Sequence, residues 1–299
     1  MNTVNNYRGI YLGYPCFKLG QEKAICKNLG WEGKYSEANT TLLDLAVNAG
    51  LATLRASDLP ISRILLCTES HWNYRELDAE KIAALKIELN LPNAHITSLG
   101  LNYCNNFHNV IDVASAILEK DGGNVLIILT DICEPSESRT VGDSIGVLSD
   151  GASSFILTKE KPTGGMFYEV VTYSLISDSS LGIAAGAESH DAVKAGDIGR
   201  LVNIIESLKQ SVYNYVDNYG FDYLITCNFR PDLIELYATL LGCVTGAYNS
   251  ILSVRYSHVF SSDVVISLAH ILEQSTSEQT VLAFTNGPHS WGMSLLKRI

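Results

Sequence analysis

A regular alternation of short apolar segments with longer amphipathic ones constrains the fold most strongly. Segments rich in Val, Ile, Leu and Thr are predicted as strands, and segments with apolar residues at helical spacing are predicted as helices. The strands are predicted at 61–68, 123–131, 151–159, 221–228 and 279–286, and the helices at 40–57, 79–90, 110–120, 198–219, 232–242 and 263–274. Strands that alternate with helices favour an α/β fold with largely parallel strands.

The order of these segments repeats once along the chain. The segments 98–119 and 253–273 end in AILE and HILE, and aligning these endings places residue 119 over residue 273, an offset of 154. At that offset Cys104 coincides with His258. The strands that begin VL after each segment are offset by 156 residues, from 125 to 281. Apolar helices align easily by chance, but the recurrence of several elements in one order favours a duplication.

A duplicated chain of 299 residues is expected to consist of two α/β halves, residues 1–160 and 161–299. The boundary is predicted in EKPTGG, residues 160–165, because Pro and Gly are typical of linkers. If the halves pack about a pseudo-twofold axis, Cys104 and His258 begin equivalent helices and face each other. The first half then supplies a thiol and the second half an imidazole.

Composition excludes several classes of partner. Hydrophobic residues make up 46% of the chain and charged residues 18%, which allows a large core. The net charge of -11 argues against nucleic acid and anionic membranes, which need clustered Lys and Arg. The start MNTVNNYRG has no targeting pattern and no apolar run is long enough to span a bilayer, so we expect a cytoplasmic protein without a membrane segment. No metal or phosphate-binding motif is found, and no cofactor is expected.

The cysteines offer a candidate nucleophile. There are 7 of them, scattered and without a C-x-x-C pair, which argues against a disulfide framework or a zinc site. A cytoplasmic thiol is more often a small packing residue than a catalyst. Cys104 in LNYCNNFH, however, comes just before a predicted helix. A thiolate at a helix start is stabilised by the helix dipole and by unpaired backbone amides.

Six segments, in order, resemble the thiolase superfamily and in particular β-ketoacyl-acyl-carrier-protein synthase III. They are ASDLPISRILLCTES, NYCNNFHNVIDVASAIL, DSIGVLSDGASSFILT, FDYLITCNFRPDLIELYATLLG, YSHVFSSDVVISL and VLAFTNGPHSWGMSLLK, so the resemblance runs from about residue 40 to the end. It implies a thiolase-like fold of two duplicated α/β halves in a five-layer αβαβα arrangement. It also implies that Cys104 accepts an acyl group from acyl-CoA or an acyl carrier protein, and that the chain forms a homodimer or a heterodimer near SLGLNY.

Two positions depart from the family pattern. The family has a catalytic histidine in a His-x-x-x-Asn stretch, where this chain has Cys227 and Asn228. Its third catalytic residue is an asparagine after a glycine, where this chain has Ser257 and His258. In the family these two residues bind the malonyl thioester during decarboxylative condensation, so the departures argue against carbon–carbon bond formation. The remaining dyad of Cys104 and His258 is sufficient for acyl transfer to oxygen, nitrogen or sulfur, or for thioester hydrolysis.

Other residues are candidates for assisting roles. The backbone amides of Cys104 and Gly287 are predicted to form an oxyanion hole. Asn228 either donates a hydrogen bond into the pocket or caps a turn. Cys227 stands in the place of the family histidine, and His289 in NGPHSWG lies beside the predicted oxyanion loop.

Glu69 and His108 allow two readings each. Glu69 in CTESHWNY is similar to the Thr-Glu-Ser turn of 3-hydroxy-3-methylglutaryl-CoA synthases, where the glutamate is a general acid and base. The alternative is a hydrogen-bonded or dimer-interface glutamate. His108 follows Cys104 by one helical turn and either lies near the pocket or packs in the core.

Three functions follow from these residues. The first is an acyltransferase of the ketoacyl synthase III type, which the resemblance associates with specialised-metabolite or fatty-acid-related biosynthesis. The second is a catalytically silent or assisting subunit of a heteromeric synthase, which the missing family histidine favours and the retained Cys104 opposes. The third is a condensation like that of 3-hydroxy-3-methylglutaryl-CoA synthase, which depends on Glu69.

Overall fold

The computed structural model describes residues 3–5, 9–25, 32–70, 77–135, 138–141, 145–163, 166–179, 195–243, 246, 248, 250–274 and 277–299. The helices are α1 Leu42–Ala56, α2 Ala79–Glu88, α3 Asn106–Asp121, α4 Ala195–Tyr219, α5 Pro231–Leu240, α6 Ser250–Tyr256 and α7 Ser262–Gln274. The strands are β1 Thr3–Asn5, β2 Tyr11–Leu19, β3 Gln21–Ala24, β4 Lys34–Glu37, β5 Arg63–Cys67, β6 His95–Leu99, β7 Asn124–Asp131, β8 Thr140–Val141, β9 Gly146–Val147, β10 Gly151–Thr158, β11 Phe167–Ser177, β12 Tyr223–Ile225, β13 Thr280–Asn286 and β14 Ser290–Arg298.

Every strand and helix that the alternation predicts is confirmed as β5, β7, β10, β12, β13 and as α1 to α5 and α7. The prediction leaves out β2, whose sequence YLGYPCFKL contains Gly13 and Pro15 and therefore lacks a strand pattern. The structure accommodates this interruption with a bulge, because the register of β2 against β10 shifts between Gly13 and Cys16.

The main sheet has the order β12-β13-β14-β11-β2-β10-β7-β5-β6, with β1 paired to β11. Only the pairs β5–β6, β5–β7 and β12–β13 of this described sheet are parallel, so the prediction of largely parallel strands is wrong. The cause lies in the connections. A three-residue turn joins β13 to β14 and no described helix separates β7 from β10, whereas parallel neighbours need a long crossover.

The elements repeat in the same order on the two sides of the sheet. Outward from the centre the strands run β2-β10-β7-β5 on one side and β11-β14-β13-β12 on the other. Along the chain, α1 and α4 precede β5 and β12, α2 and α5 follow these two strands, and α3 and α7 precede β7 and β13. This order supports the duplication, while the boundary between residues 160 and 161 remains a prediction. Residues 164 and 165 of the predicted linker lie outside the described residues.

Alternate side chains of the strands face different helices, as the pleat of a strand requires. In β7, Val125, Ile127 and Leu129 belong to the core cluster that contains α3 and α7. Leu126 and Ile128 belong to the cluster that contains α1 and α2. The strands of the first half therefore lie between an outer layer, formed by α1 and α2, and a central layer, formed by α3 and α7.

Strand β13 divides its side chains in the same way. Val281 and Ala283 face the central cluster with α3 and α7, whereas Leu282 and Phe284 face the cluster with α4 and α5. Helices α1 and α2, a sheet layer, helices α3 and α7, a second sheet layer and helices α4 and α5 follow one another. The predicted five-layer αβαβα arrangement is confirmed, and the starts of α3 and α7 lie in its interior.

The segment before residue 40 is an integral part of this architecture. Strand β2 pairs with β10 through most of its length and with β11 at Tyr11, Leu12 and Gly13. It therefore occupies the middle of the sheet, although the sequence resemblance begins only after it. Among the described residues, no helix is both long and apolar enough to cross a bilayer.

Candidate active site

A tight turn precedes α3 and presents Cys104. Leu101 and Tyr103 both have left-handed backbone conformations, with φ of 71° and 51°. Such a conformation costs a residue with a side chain on the order of 1 kcal/mol, so surrounding contacts must hold the turn. A single 3₁₀ turn over Tyr103–Asn105 then leads directly into α3, and Cys104 lies in it with 7% of its surface exposed. We call residues 100–105 the nucleophile turn.

The structure brings Cys104 and His258 together. The Sγ atom of Cys104 lies 2.9 Å from Nε2 of His258. The segment 256–261, which we call the base turn, presents His258 after Ser257, a residue with φ of 55°. Backbone bonds hold it in place, because the His258 amide donates to the Val147 carbonyl at 2.9 Å and the His258 carbonyl accepts from the Ser149 amide at 2.8 Å.

Asp263 completes a chain of polar groups that the sequence analysis missed. Its Oδ2 atom lies 2.5 Å from Nδ1 of His258 and also accepts the Asn228 amide at 2.7 Å. Its Oδ1 atom accepts the Val259 amide at 2.7 Å. The available signal was an acidic residue in the first turn of α7, soon after the histidine in HVFSSDVV.

This carboxylate determines the charge and orientation of the imidazole. Burial disfavours the charged form of His258, but Asp263 outweighs burial through its charge and its hydrogen bond, so the pKa of His258 is raised. The contact with Asp263 assigns the proton to Nδ1, which leaves Nε2 as the acceptor that faces Cys104. His258 is therefore oriented as a base for the Cys104 thiol.

Aromatic rings enclose the imidazole. The ring of Phe229 lies 4.7 Å from that of His258 between centroids, and Phe260 lies 5.9 Å away. Asp263 has 1% of its surface exposed. The low dielectric of such a site strengthens the pairing between His258 and Asp263.

Cys227 lies beside Cys104 in the loop after β12. A hydrogen bond with Cys227, together with burial, raises the pKa of the Cys104 thiol well above its usual value. Burial also acts to raise the pKa of Cys227, but the bond with Cys104 and the nearby His258 outweigh it, and the net direction is downward. These opposite directions favour ionisation of Cys227 over ionisation of Cys104 within the pair.

Asn228 contributes through its backbone. Its amide is one of the donors to Asp263, so the loop after β12 fixes the acid that orients His258. The predicted role of the Asn228 side chain in the pocket remains a prediction.

Glu69 supports the nucleophile turn. Its Oε1 atom accepts the backbone amide of Tyr103 at 3.0 Å and the side-chain amide of Asn106. Asp131 at the end of β7 in turn holds the Glu69 loop, because its Oδ1 atom accepts the Glu69 amide at 2.6 Å and the Thr68 hydroxyl at 3.0 Å. Residues 71–74 of the CTESHWNY stretch lie outside the described residues.

Gly287 differs from its predicted role. Its amide donates to the Ser290 carbonyl at 2.7 Å, within the tight turn between β13 and β14, and is therefore engaged rather than directed at an oxyanion. The residue still borders the site, because a Cβ atom at this position would lie 2.8 Å from the Asn102 carbonyl oxygen. Glycine is required here for the close approach of this turn to the nucleophile turn.

Of the two other candidate histidines, His289 contacts the nucleophile turn and His108 lies in the first turn of α3. His289 packs edge-on against the ring of Tyr103, with centroids 5.9 Å apart. His108 is buried between two hydroxyls, with Nδ1 2.7 Å from Thr285 and Nε2 3.1 Å from Ser294. Burial lowers the pKa of His108 to about 3, so it is a neutral core residue.

The described residues include no group of three or more His, Cys, Asp and Glu side chains arranged to hold a metal ion. The candidate site consists instead of a thiol, an imidazole and a carboxylate in sequence, with a second thiol beside the first. This arrangement can generate a thiolate, and it can move a proton to and from a nucleophile.

Solved structures with the same arrangement of elements are numerous. The ChlB3 structure, described as an acyltransferase, superposes with a TM-score of 0.80 at 16% identity, over 97% of this chain and 98% of that one. The 3-oxoacyl-[acyl-carrier-protein] synthase III of Aquifex aeolicus superposes with a TM-score of 0.75 at 14% identity, over 97% and 100%. The C-terminal type III polyketide synthase domain of Steely1 from Dictyostelium gives 0.67 at 13% identity, over 97% and 99%.

The chain therefore has the thiolase-like fold of these enzymes, with a strongly diverged sequence. Neither a protein-family model nor a curated protein sequence matches it. The structural likeness covers nearly the whole chain and thus includes the segment before residue 40, where the sequence resemblance could not be followed.

Proposed function

We propose that this protein is an acyltransferase that forms an acyl thioester on Cys104 and passes the acyl group to an oxygen, nitrogen or sulfur nucleophile. One observation carries the proposal: Cys104, His258 and Asp263 form a continuous chain of contacts of 2.9 and 2.5 Å. The name of ChlB3, an acyltransferase of the same fold, supports it.

The first half-reaction loads the thiol. His258 Nε2 takes the proton of Cys104, and the thiolate attacks the carbonyl carbon of an acyl thioester. The new S–C bond forms, and collapse of the tetrahedral intermediate breaks the bond to the donor thiol, which leaves with the proton from His258. Asp263 stabilises the imidazolium that exists between these proton transfers. The donor in this proposal is acyl-CoA or an acyl carrier protein.

The second half-reaction transfers the acyl group from Cys104 to the acceptor. The acceptor hydroxyl, amine or thiol approaches the acyl carbonyl, and His258 removes its proton. Collapse of the second intermediate returns the sulfur of Cys104, which regains a proton from His258. Water in place of the acceptor would give hydrolysis, so the enclosure of His258 by Phe229 and Phe260 favours transfer.

Carbon–carbon bond formation is not supported by these residues. The resemblance to synthase III places a histidine and an asparagine on the malonyl carbonyl, but Cys227 stands where that histidine is expected. His258 is the imidazole at Cys104, and it is engaged with Asp263. A thiol cannot replace the second strong donor that an enolate needs.

The two other predicted functions receive less support. A silent subunit has no need of a thiol, an imidazole and a carboxylate aligned in the interior. A condensation like that of 3-hydroxy-3-methylglutaryl-CoA synthase needs Glu69 as acid and base, whereas Glu69 accepts bonds from Tyr103 and Asn106 and supports the nucleophile turn.

Assembly and cellular context are part of the same proposal. Strand β6 ends the described path of the main sheet, and Leu101 and Tyr103 beside it are 68% and 44% exposed. An open edge next to exposed apolar side chains suits the dimer that the family resemblance implies near SLGLNY. A homodimer is the proposal, a heterodimer the alternative, and a cytoplasmic role in specialised-metabolite or fatty-acid-related biosynthesis remains a prediction.

Intact-protein mass spectrometry tests this function. The protein is incubated with a panel of acyl-CoA and acyl-carrier donors, beside the variants Cys104→Ala and His258→Ala. We expect an acyl adduct on the wild type, none on Cys104→Ala and slow loading of His258→Ala. Cys243→Ala serves as the control, because Cys243 is a half-buried thiol outside the chain of contacts.

A second measurement adds oxygen, nitrogen and sulfur nucleophiles to the loaded protein and follows loss of the adduct. An adduct that persists on Cys104→Ala would contradict the assignment of the nucleophile. Absence of an adduct with every donor would favour the silent subunit, and condensation with a malonyl thioester would refute the restriction to heteroatom acceptors.

A further inference from the structure

The second thiol of the site has no task in the proposed acyl transfer. Cys227 and Cys104 belong to the same buried cluster, and hydrogen bonding with Cys227 is the largest cause of the raised pKa of the Cys104 thiol. The end of β13 fixes both, since the Asn286 carbonyl lies 3.9 Å from Cys227 Sγ and the adjacent Gly287 packs against Asn102 in the nucleophile turn. Two cysteines from different halves of the chain are therefore held together at the reacting sulfur.

We propose that Cys104 and Cys227 form a reversible disulfide when the protein meets a hydroperoxide, and that this bond turns the site off. The chemistry concerns only the thiols. The loss of activity that should accompany it rests on the proposed function, because a disulfide at Cys104 leaves no sulfur to accept an acyl group.

Access determines which thiol reacts first. Cys104 is 7% exposed and Cys227 is fully buried, so a small oxidant reaches the pair through Cys104. His258, 2.9 Å from the sulfur, removes the thiol proton and so generates the reactive thiolate. A sulfur oxidised at this position then has Cys227 as its immediate neighbour.

The reaction balances with one hydroperoxide molecule. The Cys104 thiolate attacks a peroxide oxygen, the O–O bond breaks, and the departing oxygen takes the proton that His258 holds, which leaves a sulfenic acid. The Cys227 sulfur then attacks the sulfenic sulfur, the S–S bond forms, and the S–O bond breaks. Hydroxide leaves and takes the Cys227 proton as water. Two thiols lose two electrons in total, and the hydroperoxide gains them.

The electrostatics of the pair favour the second step. The bond with Cys104 and the nearby His258 lower the pKa of Cys227 in spite of burial, which favours loss of its proton as it attacks. A thiolate beside the site of oxidation is the arrangement that captures a sulfenic acid before further oxidation.

Hydrogen peroxide is the probe for the test. The wild-type chain is treated without any acyl donor, quenched, and examined by intact mass and by mapping of cross-linked peptides. We expect the mass of two hydrogen atoms to be lost, a Cys104–Cys227 cross-link, loss of acyl loading, and recovery of both with dithiothreitol. Because the cross-link is read without a donor, its failure is distinct from failure of the proposed acyl transfer.

Variants make the outcome specific. In Cys227→Ser, and equally in Cys227→Ala should the first fold poorly, Cys104 is expected to gain oxygen atoms and to recover incompletely with dithiothreitol. Cys243→Ser, which removes a more accessible thiol, should behave like the wild type. The proposal is overturned if the cross-link is absent from oxidised wild type, or if Cys227→Ser is inactivated and recovered exactly as the wild type is.

Discussion

The nucleophile turn and the base turn occupy equivalent positions in the fold, and a carboxylate supports each of them. The two carboxylates differ in origin, because one comes from a loop before its turn and the other from the helix after its turn. In the first half, Glu69 extends from the loop after β5 to the backbone of Tyr103 in the turn. In the second half, Asp263 extends from the helix that follows the turn to the backbone of Asn228 in the loop after β12. Both bridges join a strand end to a helix start, but only the second also contacts an imidazole.

The difference shows how one duplicated scaffold supports two chemical roles. Tyr103 and Ser257, each one residue before the functional side chain, share the left-handed backbone with φ of 51° and 55°. The shared backbone presents a side chain at each helix start. The position of the carboxylate then decides whether it supports the backbone beside that side chain, as Glu69 does for Cys104, or contacts the side chain itself and raises its pKa, as Asp263 does for His258.

Removal of the second bridge should have the largest effect. Asp263→Asn retains the shape of the side chain but not its charge, so we expect acyl transfer to slow by roughly 10⁴-fold, as when the acid of a triad is made neutral. The pKa of His258 should fall, because the carboxylate raises it, and the acid limb of the pH–rate profile should move to lower pH. Rates of adduct formation across pH measure both effects.

Asp232→Asn is the matched control for this variant. Asp232 also lies in the first turn of a helix, but it pairs with Arg230 at the surface. An equal loss of rate in both variants would contradict a specific role of Asp263.

The close approach of β14 to the first turn of α3 can be tested with a methyl group. In Gly292→Ala the new Cβ would lie 2.5 Å from the His108 ring and would also overlap the Asn105 side chain. Overpacking of this kind costs about 1–3 kcal/mol of unfolding free energy. Chemical denaturation measures the loss, which should be accompanied by slower loading of Cys104.

Gly199→Ala should change the free energy of unfolding in the opposite direction. Gly199 lies in α4 and an added methyl would meet no atom within 4 Å. Alanine in a helix interior should stabilise the chain by about 0.5–1 kcal/mol. A loss of stability in Gly199→Ala would show that replacement of a glycine by itself, rather than crowding, explains the loss of stability in Gly292→Ala.

The bridge from Glu69 to the nucleophile turn depends on Asp131, which holds the Glu69 loop. The ionisation of Asp131 should make the free energy of unfolding depend on pH. Burial raises the pKa of Asp131 from 3.8 to about 8, so between these values the folded chain holds a proton that the unfolded chain has released. Stability from this group is complete below pH 3.8 and is lost as pH rises towards 8, with a slope of up to about 1.4 kcal/mol per pH unit. Asp131→Asn should flatten that slope in denaturation curves taken from pH 5 to 8; an unchanged slope would contradict the assignment.

Weakening of the first bridge at Glu69 should have the smallest effect. Glu69→Gln retains an oxygen that can accept the Tyr103 amide but loses the charge, which costs about 1 kcal/mol in such a bond. We expect adduct formation to slow about fivefold, with no movement of the acid limb of the pH–rate profile. Glu119→Gln, which alters a surface pair with Lys159, is the control. A loss as large as that of Asp263→Asn would show that Glu69 takes part in the chemistry.

The sequence predicts the elements that rely on local periodicity and misses contacts between distant parts of the chain. The dyad of Cys104 and His258 followed from the internal repeat, because equivalent helix starts meet at a pseudo-twofold axis. Asp263 was missed because an acid in a first helical turn is ordinary as a cap, and its contact with His258 depends on how the base turn folds back. The contact of Cys227 with Cys104 joins two loops that only the assembled sheet brings together.

The dependence on contacts that sequence patterns do not show also explains the two incorrect predictions, the role of Gly287 and the proportion of parallel strands. A glycine next to a family-like loop suggested an oxyanion donor at Gly287, but the direction of its amide depends on the turn to Ser290. The proportion of parallel strands was overstated because apolar runs do not reveal whether the next strand returns as a hairpin.

Strand β2 has a mechanical consequence. It is bonded to β10 along most of its length and to β11 at Tyr11, Leu12 and Gly13, so one strand joins both sides of the duplication. A hinge opening between the halves would have to break backbone bonds in the middle of a sheet, which makes the scaffold stiff across its own symmetry axis. In the proposed reaction we therefore expect surface loops, rather than a relative motion of the halves, to admit and release the acyl chain, with Cys104 and His258 remaining in contact.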